Sequence, residues 1–343
     1  MALILGLESS CDDTAAALVT SDRRILAQAV VSQNDAHRPF GGVVPEIAAR
    51  AHVQILPNLV RQVLGEAKAE IGDVDAIAAT AGPGLIGGVM VALLTAKGLA
   101  LATGKPLIAI NHLEGHALSP RLVDPELGFP YLLLLVSGGH CQLLEVLGIG
   151  EYRRLATTID DAAGEAFDKA AKLLGLPYPG GPAIEQLARE GNSATVPLPR
   201  PLVGSGEPHF SFAGLKSAVQ RAVGSGSFSP ADIAASFQLA VVDCLVDRTR
   251  LALESSDAPA LVVAGGVAAN QAIRNALERL ASDSGRRFRV PPAWLCTDNA
   301  AMIAWAGVER FEAGRIDDLA APARARWPLD PDAEKVRGAG VKA

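Results

Sequence analysis

The sequence predicts an α/β protein made of two similar halves, and two observations carry that prediction. Apolar runs at 3–7 and 15–19 flank a polar tip, and the same arrangement returns at 132–136 and 143–147. Paired apolar runs around a polar tip are typical of a β-hairpin. Each hairpin then precedes strands, glycine turns and helices in alternation, which is typical of a sheet with helices on both faces.

In the first half, a strand at 76–80 ends in the glycine turn 81–84 and is followed by a helix at 89–103 and a strand at 107–110. Ligands in α/β folds bind at the carboxyl ends of strands, and glycine lets the backbone approach them closely. Neither a Rossmann nor a P-loop fingerprint is present. The glycine turns of both halves together favour a phosphate-bearing ligand held in a cleft between the halves.

In the second half, a strand at 260–264 ends in Gly265–Asn270 and opens a helix that runs through Leu280. The charge run at 157–168 is the usual pattern of a solvated helix face. A rigid Pro-Gly loop precedes a helix at 183–190, and the Gly, Ser and Pro content of residues 192–230 predicts a loop there.

Length and charge restrict the function further. The chain has 343 residues and 49% hydrophobic content, which predicts about two domains, and its net charge is −6. An acidic chain with 4% aromatic residues does not grip nucleic acid by charge over a broad surface, so we expect a local basic patch or a basic partner. The local basic residues near the end are Arg315, Arg324, Arg326, Lys335 and Arg337.

The sequence predicts a cytoplasmic protein without a membrane span. The N-terminus has no basic segment before its apolar run, and the run Leu85–Ala96 stops at Lys97, too short to cross a bilayer. The cysteines, at 11, 141, 244 and 296, show no CxxC pairing, so buried or incidental thiols are expected.

His112 and His116 are four residues apart and share one helix face, so together they can hold a metal. Spacing alone leaves a second interpretation open, two surface histidines at a helix start. The protease signature HExxH needs Glu directly after the first His, and Leu113 stands there. Glu114 points roughly 200° around the helix from His112, which excludes it as the base in that arrangement.

Asp298 begins another helical stretch, where it is either an N-cap or a third metal ligand. With His112 and His116 it would complete a set of two histidines and one carboxylate with open positions. Iron and zinc both accept such ligands.

Nine motifs, in order, resemble the TsaD family of tRNA threonylcarbamoyladenosine transferases, formerly labelled sialoglycoprotein endopeptidases. The resemblance runs from residue 3 to about 328, without a departure at a motif position. The motifs are Gly6–Thr14, Ala81–Leu85, Asn111–His116, Leu135–His140, Asp160–Asp168, Pro179–Pro182, Phe210–Lys216, Ala264–Asn270 and Cys296–Asn299.

The resemblance implies an actin-like fold, the ASKHA class of sugar kinases and Hsp70, with two duplicated lobes around a nucleotide cleft. We place the N-terminal lobe at 1–125 and the C-terminal lobe at 126–328, with an inserted helical and loop segment near 150–230. Residues 329–343 are expected to form a polar, flexible tail.

The resemblance also implies transfer of threonylcarbamoyl from threonylcarbamoyl-AMP to the exocyclic amine of adenosine 37, next to the anticodon, in tRNAs reading codons that begin with A. His112, His116 and Asp298 resemble the ligands of one divalent metal, usually described as iron, with zinc as the alternative. The residues that resemble the substrate-binding set are Leu135, Val136, Ser137, Gly138, Gly139, Asp168, Gly181, Glu185 and Asn270. The candidate catalytic residues on the first hairpin tip are Ser9, Ser10, Asp12 and Asp13, and the proton acceptor is Asp12, Asp13 or a phosphate oxygen.

The partners implied by the resemblance are tRNA, the TsaB paralogue and the TsaE ATPase. Three other classes compete with the transferase. A metal-dependent peptidase fits the His pair but not Glu114. An actin-like ATPase or small-molecule kinase fits the glycine turns, yet such kinases hold Mg²⁺ through carboxylates and water. A scaffold without catalysis has no use for an intact metal set.

Overall fold

The computed structural model describes residues 1–40 and 42–336, so Arg337 and the remainder of the predicted tail lie outside the described residues. The strands in this part are β1 (Leu3–Glu8), β2 (Asp13–Thr20), β3 (Ile25–Ser32), β4 (Ala76–Gly82), β5 (Leu107–Asn111), β6 (Tyr131–Val136), β7 (Cys141–Gly148), β8 (Glu151–Thr157), β9 (Ala260–Ala264) and β10 (Arg287–Arg289).

The helices of the same residues follow in chain order. They are α1 (Asn34–His37), α2 (Pro45–Ala67), α3 (Ile86–Thr103), α4 (His112–Val123), α5 (Ala163–Leu173), α6 (Gly180–Ala188), α7 (Ala213–Ser225), α8 (Pro230–Glu254), α9 (Gln271–Asp283), α10 (Ala293–Cys296) and α11 (Ala300–Glu312).

The chain divides into two compact units. The first comprises Met1–Gly128 and Thr297–Pro331, and the second comprises Phe129–Cys296 with the described residues from Asp332 onward. The predicted second lobe extended to residue 328, whereas Thr297–Pro331 belong to the first unit. The reason is helix α11, whose residues 300–308 are all buried and which packs on β1, β2, β4 and α4.

The first unit contains a five-stranded sheet in the order β3-β2-β1-β4-β5. Strands β1, β2 and β3 are antiparallel neighbours, and β4 and β5 run parallel to β1. Alternate residues of a strand face opposite sides, and on β1 Leu5 and Leu7 join the core beneath α2 and α3. Gly6 faces α11, where an added Cβ would lie 2.5 Å from the Ala300 carbonyl oxygen. Helices therefore cover both faces, as predicted.

The second unit repeats this topology. Its sheet has the order β10-β9-β6-β7-β8, with β6, β7 and β8 antiparallel and with β9 and β10 parallel to β6. The two predicted hairpins are therefore confirmed as β1–β2 and β6–β7, and they occupy equivalent places in the two sheets. The predicted duplication is real.

The prediction of a loop over residues 192–230 is wrong for its second half, because helix α7 covers Ala213–Ser225. Leu215, Val219 and Ala222 recur at helical spacing and are buried in the core of the second unit. Their burial outweighs the weak local propensity of the surrounding glycine and serine residues.

Helix α3 is the described helix that is long and apolar enough to cross a membrane by length and composition alone. Its Val89, Ala92, Leu93 and Ala96 are nevertheless buried in the first unit, in contact with β4 and α2. This is the environment of a core helix.

Candidate metal centre and substrate-binding residues

Helix α4 begins directly at His112 because Asn111 caps it. The Asn111 side chain accepts a hydrogen bond from the Leu113 backbone N–H at 2.9 Å, and its amide donates to the Trp327 carbonyl oxygen at 2.9 Å. His112 and His116 are 7% and 1% exposed. The interpretation of two surface histidines is therefore wrong, and the helix presents both rings to the interior.

The structure brings the three predicted metal ligands together. Asp298 Oδ1 lies 3.1 Å from His116 Nε2 and 3.4 Å from His112 Nε2, and one ligand atom from each residue falls within 4.8 Å of the others. Asp298 is not the N-cap of α11, because Asn299 accepts the capping hydrogen bond from the Met302 N–H at 2.9 Å. Two imidazole nitrogens and a carboxylate oxygen form a donor set that suits iron(II) or zinc.

The charges at this cluster favour ionised carboxylates. Burial alone would lower the pKa of His112, but Asp298 and Glu8 outweigh it and raise that pKa well above its usual value. Burial alone would raise the pKa of Asp298, but His112 and His116 hold it well below its usual range. The carboxylate of Asp298 is therefore available as an anionic ligand.

Glu114, the carboxylate between the two histidines in the sequence, forms an ion pair with Arg310. It is fully buried, and its Oε2 accepts hydrogen bonds from Arg310 Nε and Nη2 at 2.9 Å each. A second ion pair joins Arg121 to Glu309 at 2.8 Å. Both pairs tie α4 to α11. The sequence-based exclusion of Glu114 as a protease base is confirmed.

The hairpin tip between β1 and β2 places Ser9 and Ser10 in different roles. The Ser9 hydroxyl donates to the Gly88 carbonyl at 2.8 Å and accepts from the Ala92 N–H at 3.0 Å, so it fastens the tip to α3. The Ser10 hydroxyl lies 3.1 Å from His112 Nδ1. Ser10 therefore belongs to the immediate surroundings of the metal centre.

Asp12 and Asp13 follow on the same tip and are both partly exposed. Burial, Asp298 and Asp12 together raise the pKa of Asp13 to about 7. A carboxyl group that titrates near neutral pH is suited to accept a proton.

Glu8 is a residue of this cluster that the sequence analysis missed. It ends β1, is fully buried, and its Oε2 lies 3.0 Å from His112 Nδ1. Burial alone would raise the pKa of Glu8, but His112 lowers it. The signal was a carboxylate directly after an apolar strand, since a buried acid needs a charged or hydrogen-bonding partner.

Four of the nine predicted substrate residues either lie at helix starts in the second unit, as Gly181 and Asn270 do, or accept a hydrogen bond from a helix start, as Asp168 and Glu185 do. Asp168 Oδ1 accepts from the Gly180 N–H at 2.7 Å, where α6 begins, and Gly181 follows with open space at its Cα. Glu185 Oε1 accepts from the Gln271 N–H at 2.9 Å, and Asn270 caps α9 by accepting from the Ile273 N–H at 3.1 Å.

The other five predicted substrate residues form the end of β6 and the turn after it. Leu135 and Val136 are buried, and Ser137, Gly138 and Gly139 make the turn to β7. The Ser137 carbonyl accepts from the Gly164 N–H at 3.2 Å, at the start of α5. Gly265 has φ +94°, and an added Cβ there would lie 2.4 Å from the Val136 carbonyl oxygen. Glycine turns and helix starts thus surround this turn, an arrangement suited to anion binding.

The charge run at 157–168 is not the solvated helix face that its composition indicated. Asp160 precedes α5 and accepts hydrogen bonds from the Phe212 and Ala213 N–H groups at 2.7 and 3.2 Å. Asp161 and Glu165 bind Lys169 at 2.7 and 2.8 Å. The run holds the segment before α7 in place.

The same five-stranded topology occurs in both units, and helices cover both faces of the sheet in the first unit. This architecture defines an actin-like α/β protein. Its first unit also carries a candidate metal centre. The chain is similar in fold to HypF of T. kodakarensis, with a TM-score of 0.59 and 16% identity, over 91% of this chain and 48% of that one. This similarity confirms the predicted fold class.

The chain belongs to the TsaD family, described as tRNA N6-adenosine threonylcarbamoyltransferase, whose model matches residues 24–305. Proteins of that name from Sphingopyxis alaskensis and Novosphingobium aromaticivorans are 73% and 67% identical to it, and each match covers 100% of both chains. The predicted family is confirmed, and the chain is a transferase that modifies tRNA.

Proposed function

We propose that this chain transfers threonylcarbamoyl from threonylcarbamoyl-AMP to the exocyclic amine of adenosine 37, next to the anticodon, in tRNAs that read codons beginning with A, and releases AMP. The observation that carries the proposal is the convergence of His112, His116 and Asp298 in a chain of this family. The site is unlike the carboxylate and water set of Mg²⁺-dependent kinases.

We further propose that His112, His116 and Asp298 hold one divalent metal, iron(II) with zinc as the alternative. Such a metal, when bound, supplies Lewis-acid polarisation of an acyl oxygen. The support is that both Nε2 atoms face the same carboxylate oxygen and that both rings are buried.

The remaining chemistry falls to side chains and backbone of the chain itself. The adenine amine is a weak nucleophile, whereas an acyl-adenylate carries a good leaving group, so orientation contributes most of the acceleration. We assign binding of the adenylate to the turn at Ser137–Gly139 with Asp168, Gly181, Glu185 and Asn270. Asp13, with its pKa near 7, is our candidate for accepting the amine proton. Full turnover after removal of the Asp12 and Asp13 carboxylates would contradict that assignment.

We propose that the chain acts in the cytoplasm together with the TsaB paralogue and the TsaE ATPase. These partners would help present tRNA to this acidic chain. Helix α3 offers an apolar face that supports a helical partner: Ile86, Met90, Leu94 and Leu101 are 44–73% exposed on one helix. Exposed apolar patches of this kind mark interaction surfaces. We assign this face to the TsaB paralogue.

The test is a transfer assay on unmodified tRNA whose anticodon reads an A-starting codon, with synthetic threonylcarbamoyl-AMP, both partners and added iron(II). Modified adenosine and AMP should appear with the intact chain and be lost with His112→Ala. His209→Ala, a histidine of the second unit outside the cluster, is the matched control and should retain activity. Absence of modified adenosine under every metal and partner condition would overturn the proposal.

A further inference from the structure

Glu8 contacts His112, one of the two candidate histidine ligands, whereas the other, His116, has no such partner within the described part of the chain. His112 turns Nε2 toward Asp298 at 3.4 Å and Nδ1 toward Glu8 Oε2 at 3.0 Å, with the Ser10 hydroxyl 3.1 Å from the same Nδ1. His116 also turns Nε2 toward Asp298, but its Nδ1 has no hydrogen-bond partner among the described residues. The two histidines are therefore held differently.

Glu8 is itself fixed by neighbours that all donate. The Thr80 hydroxyl on β4 donates to Oε2, and the Ser10 backbone N–H donates to Oε1. With Nδ1 of His112 protonated, three donors converge on one carboxylate. A carboxylate accepts at both oxygens, whereas glutamine would turn an NH₂ group toward at least one donor. The site is specific for the ionised acid.

We propose that Glu8 is a positioning residue of the metal centre: it accepts the Nδ1–H of His112 and so leaves Nε2 as the free lone pair that binds the metal. This inference rests on the proposed metal site. Glu8 is fully buried and lies on the ring edge away from Asp298, so it is not a ligand in this arrangement. Carboxylates that orient ligating histidines in this way fix the tautomer and raise ligand basicity.

The first test is zinc affinity, measured on the whole chain by competition with a chromophoric chelator. Removal of an orienting partner typically weakens metal binding about 10–100-fold. We expect this loss for Glu8→Gln, with one zinc still bound at saturation, and a smaller loss for Glu8→Asp. Glu309→Gln is the matched control, because Glu309 is another buried carboxylate of the first unit that contacts α4 through Arg121 but does not touch the ligands. It should bind zinc like the wild type.

The second test needs no variant of Glu8. The chain has 6 histidines, so nitrogen-15 spectra of the zinc-loaded protein can be assigned by comparison with His112→Ala. His112 should show a slowly exchanging, downfield Nδ1–H and a zinc-bound Nε2. This readout tests the proposed tautomer of His112 even where Glu8→Gln fails to fold.

Three results would overturn the inference. Wild-type zinc affinity in folded Glu8→Gln, or zinc bound through His112 Nδ1, would remove the role of Glu8 while leaving the proposed function intact. Zinc binding by the wild type that does not depend on His112, His116 and Asp298 would overturn both the inference and the proposed metal centre.

Discussion

Glu114 on α4 and Arg310 on α11 form a partly buried ion pair in which two guanidinium nitrogens each lie 2.9 Å from Glu114 Oε2. Asp298 stands two residues before α11, and His112 and His116 lie on α4. The pair therefore links the two elements that supply the metal ligands. A carboxylate that in sequence suggests a protease base instead holds the scaffold of the site.

Glu114→Gln should lower the free energy of unfolding by about 3 kcal/mol, because removal of one partner leaves the partly buried Arg310 without its counter-charge. Urea denaturation measures this loss. The folded variant should still transfer threonylcarbamoyl at close to the wild-type rate, since Glu114 faces Arg310. The double variant Glu114→Leu, Arg310→Leu is the control and should regain much of the stability. Wild-type stability with complete loss of transfer would contradict the structural role.

The tip that carries Ser10 depends on close contact with α3. An added Cβ at Gly88 would lie 2.3 Å from the Ser9 carbonyl oxygen. Because this oxygen is a backbone atom, it cannot move aside without a shift of the main chain. Gly88→Ala should therefore destabilise the chain by about 2 kcal/mol and weaken metal binding. Gly98→Ala is the matched control on the same helix, where nothing lies within 4 Å. It should gain up to about 1 kcal/mol from helix propensity. Equal melting temperatures for the two variants would contradict the prediction.

The sequence predicted the hairpins, the strand and helix alternation and the shared face of His112 and His116, because each left a local signature. Apolar alternation marks strands, and the four-residue spacing of His112 and His116 marks one helix face. Glu8 left only a carboxylate directly after an apolar run, and nothing local pointed to its role, because its partners Thr80 and His112 are 72 and 104 residues away. Helix α7 was missed for a related reason: the stabilisation that outweighs its weak propensity comes from packing against distant residues.

Metal should stabilise the folded chain, because a ligand that binds only the native state adds about 2.7 kcal/mol at a concentration of 100 times Kd. We expect zinc or iron(II) to raise the melting temperature of the wild type by several degrees, and a chelator to reverse the change. Asp298→Asn should lose this response, since the anionic ligand is gone. Asp232→Asn, a carboxylate of the second unit, should keep it. A full metal response in Asp298→Asn would show that the cation binds elsewhere.

Asp13 should make the stability of the metal-free chain depend on pH between about 4 and 7. Burial, Asp298 and Asp12 raise its pKa from 3.8 to about 7. A raised carboxyl pKa means that ionisation is unfavourable in the folded state. The stability contribution is therefore fully present below pH 3.8 and is lost as the pH rises through 7.

Asp13→Asn removes this ionisation, so the variant should gain stability over the wild type as the pH rises from 5 to 7, and the gain should level off above 7. We expect a change of roughly 1–2 kcal/mol across this window, discounted for partial exposure from about 1.4 kcal/mol per pH unit. Asp232→Asn is the control, because the pKa of Asp232 is shifted in the opposite direction. The pKa of Asp232 is lowered by hydrogen bonds from the Asn192 N–H and Ser229, so its effect should not vary between pH 5 and 8. The stability of both variants is measured from urea midpoints at pH 5, 6, 7 and 8. If the stability of Asp13→Asn and of the wild type changed with pH in the same way, Asp13 would ionise freely in the folded state.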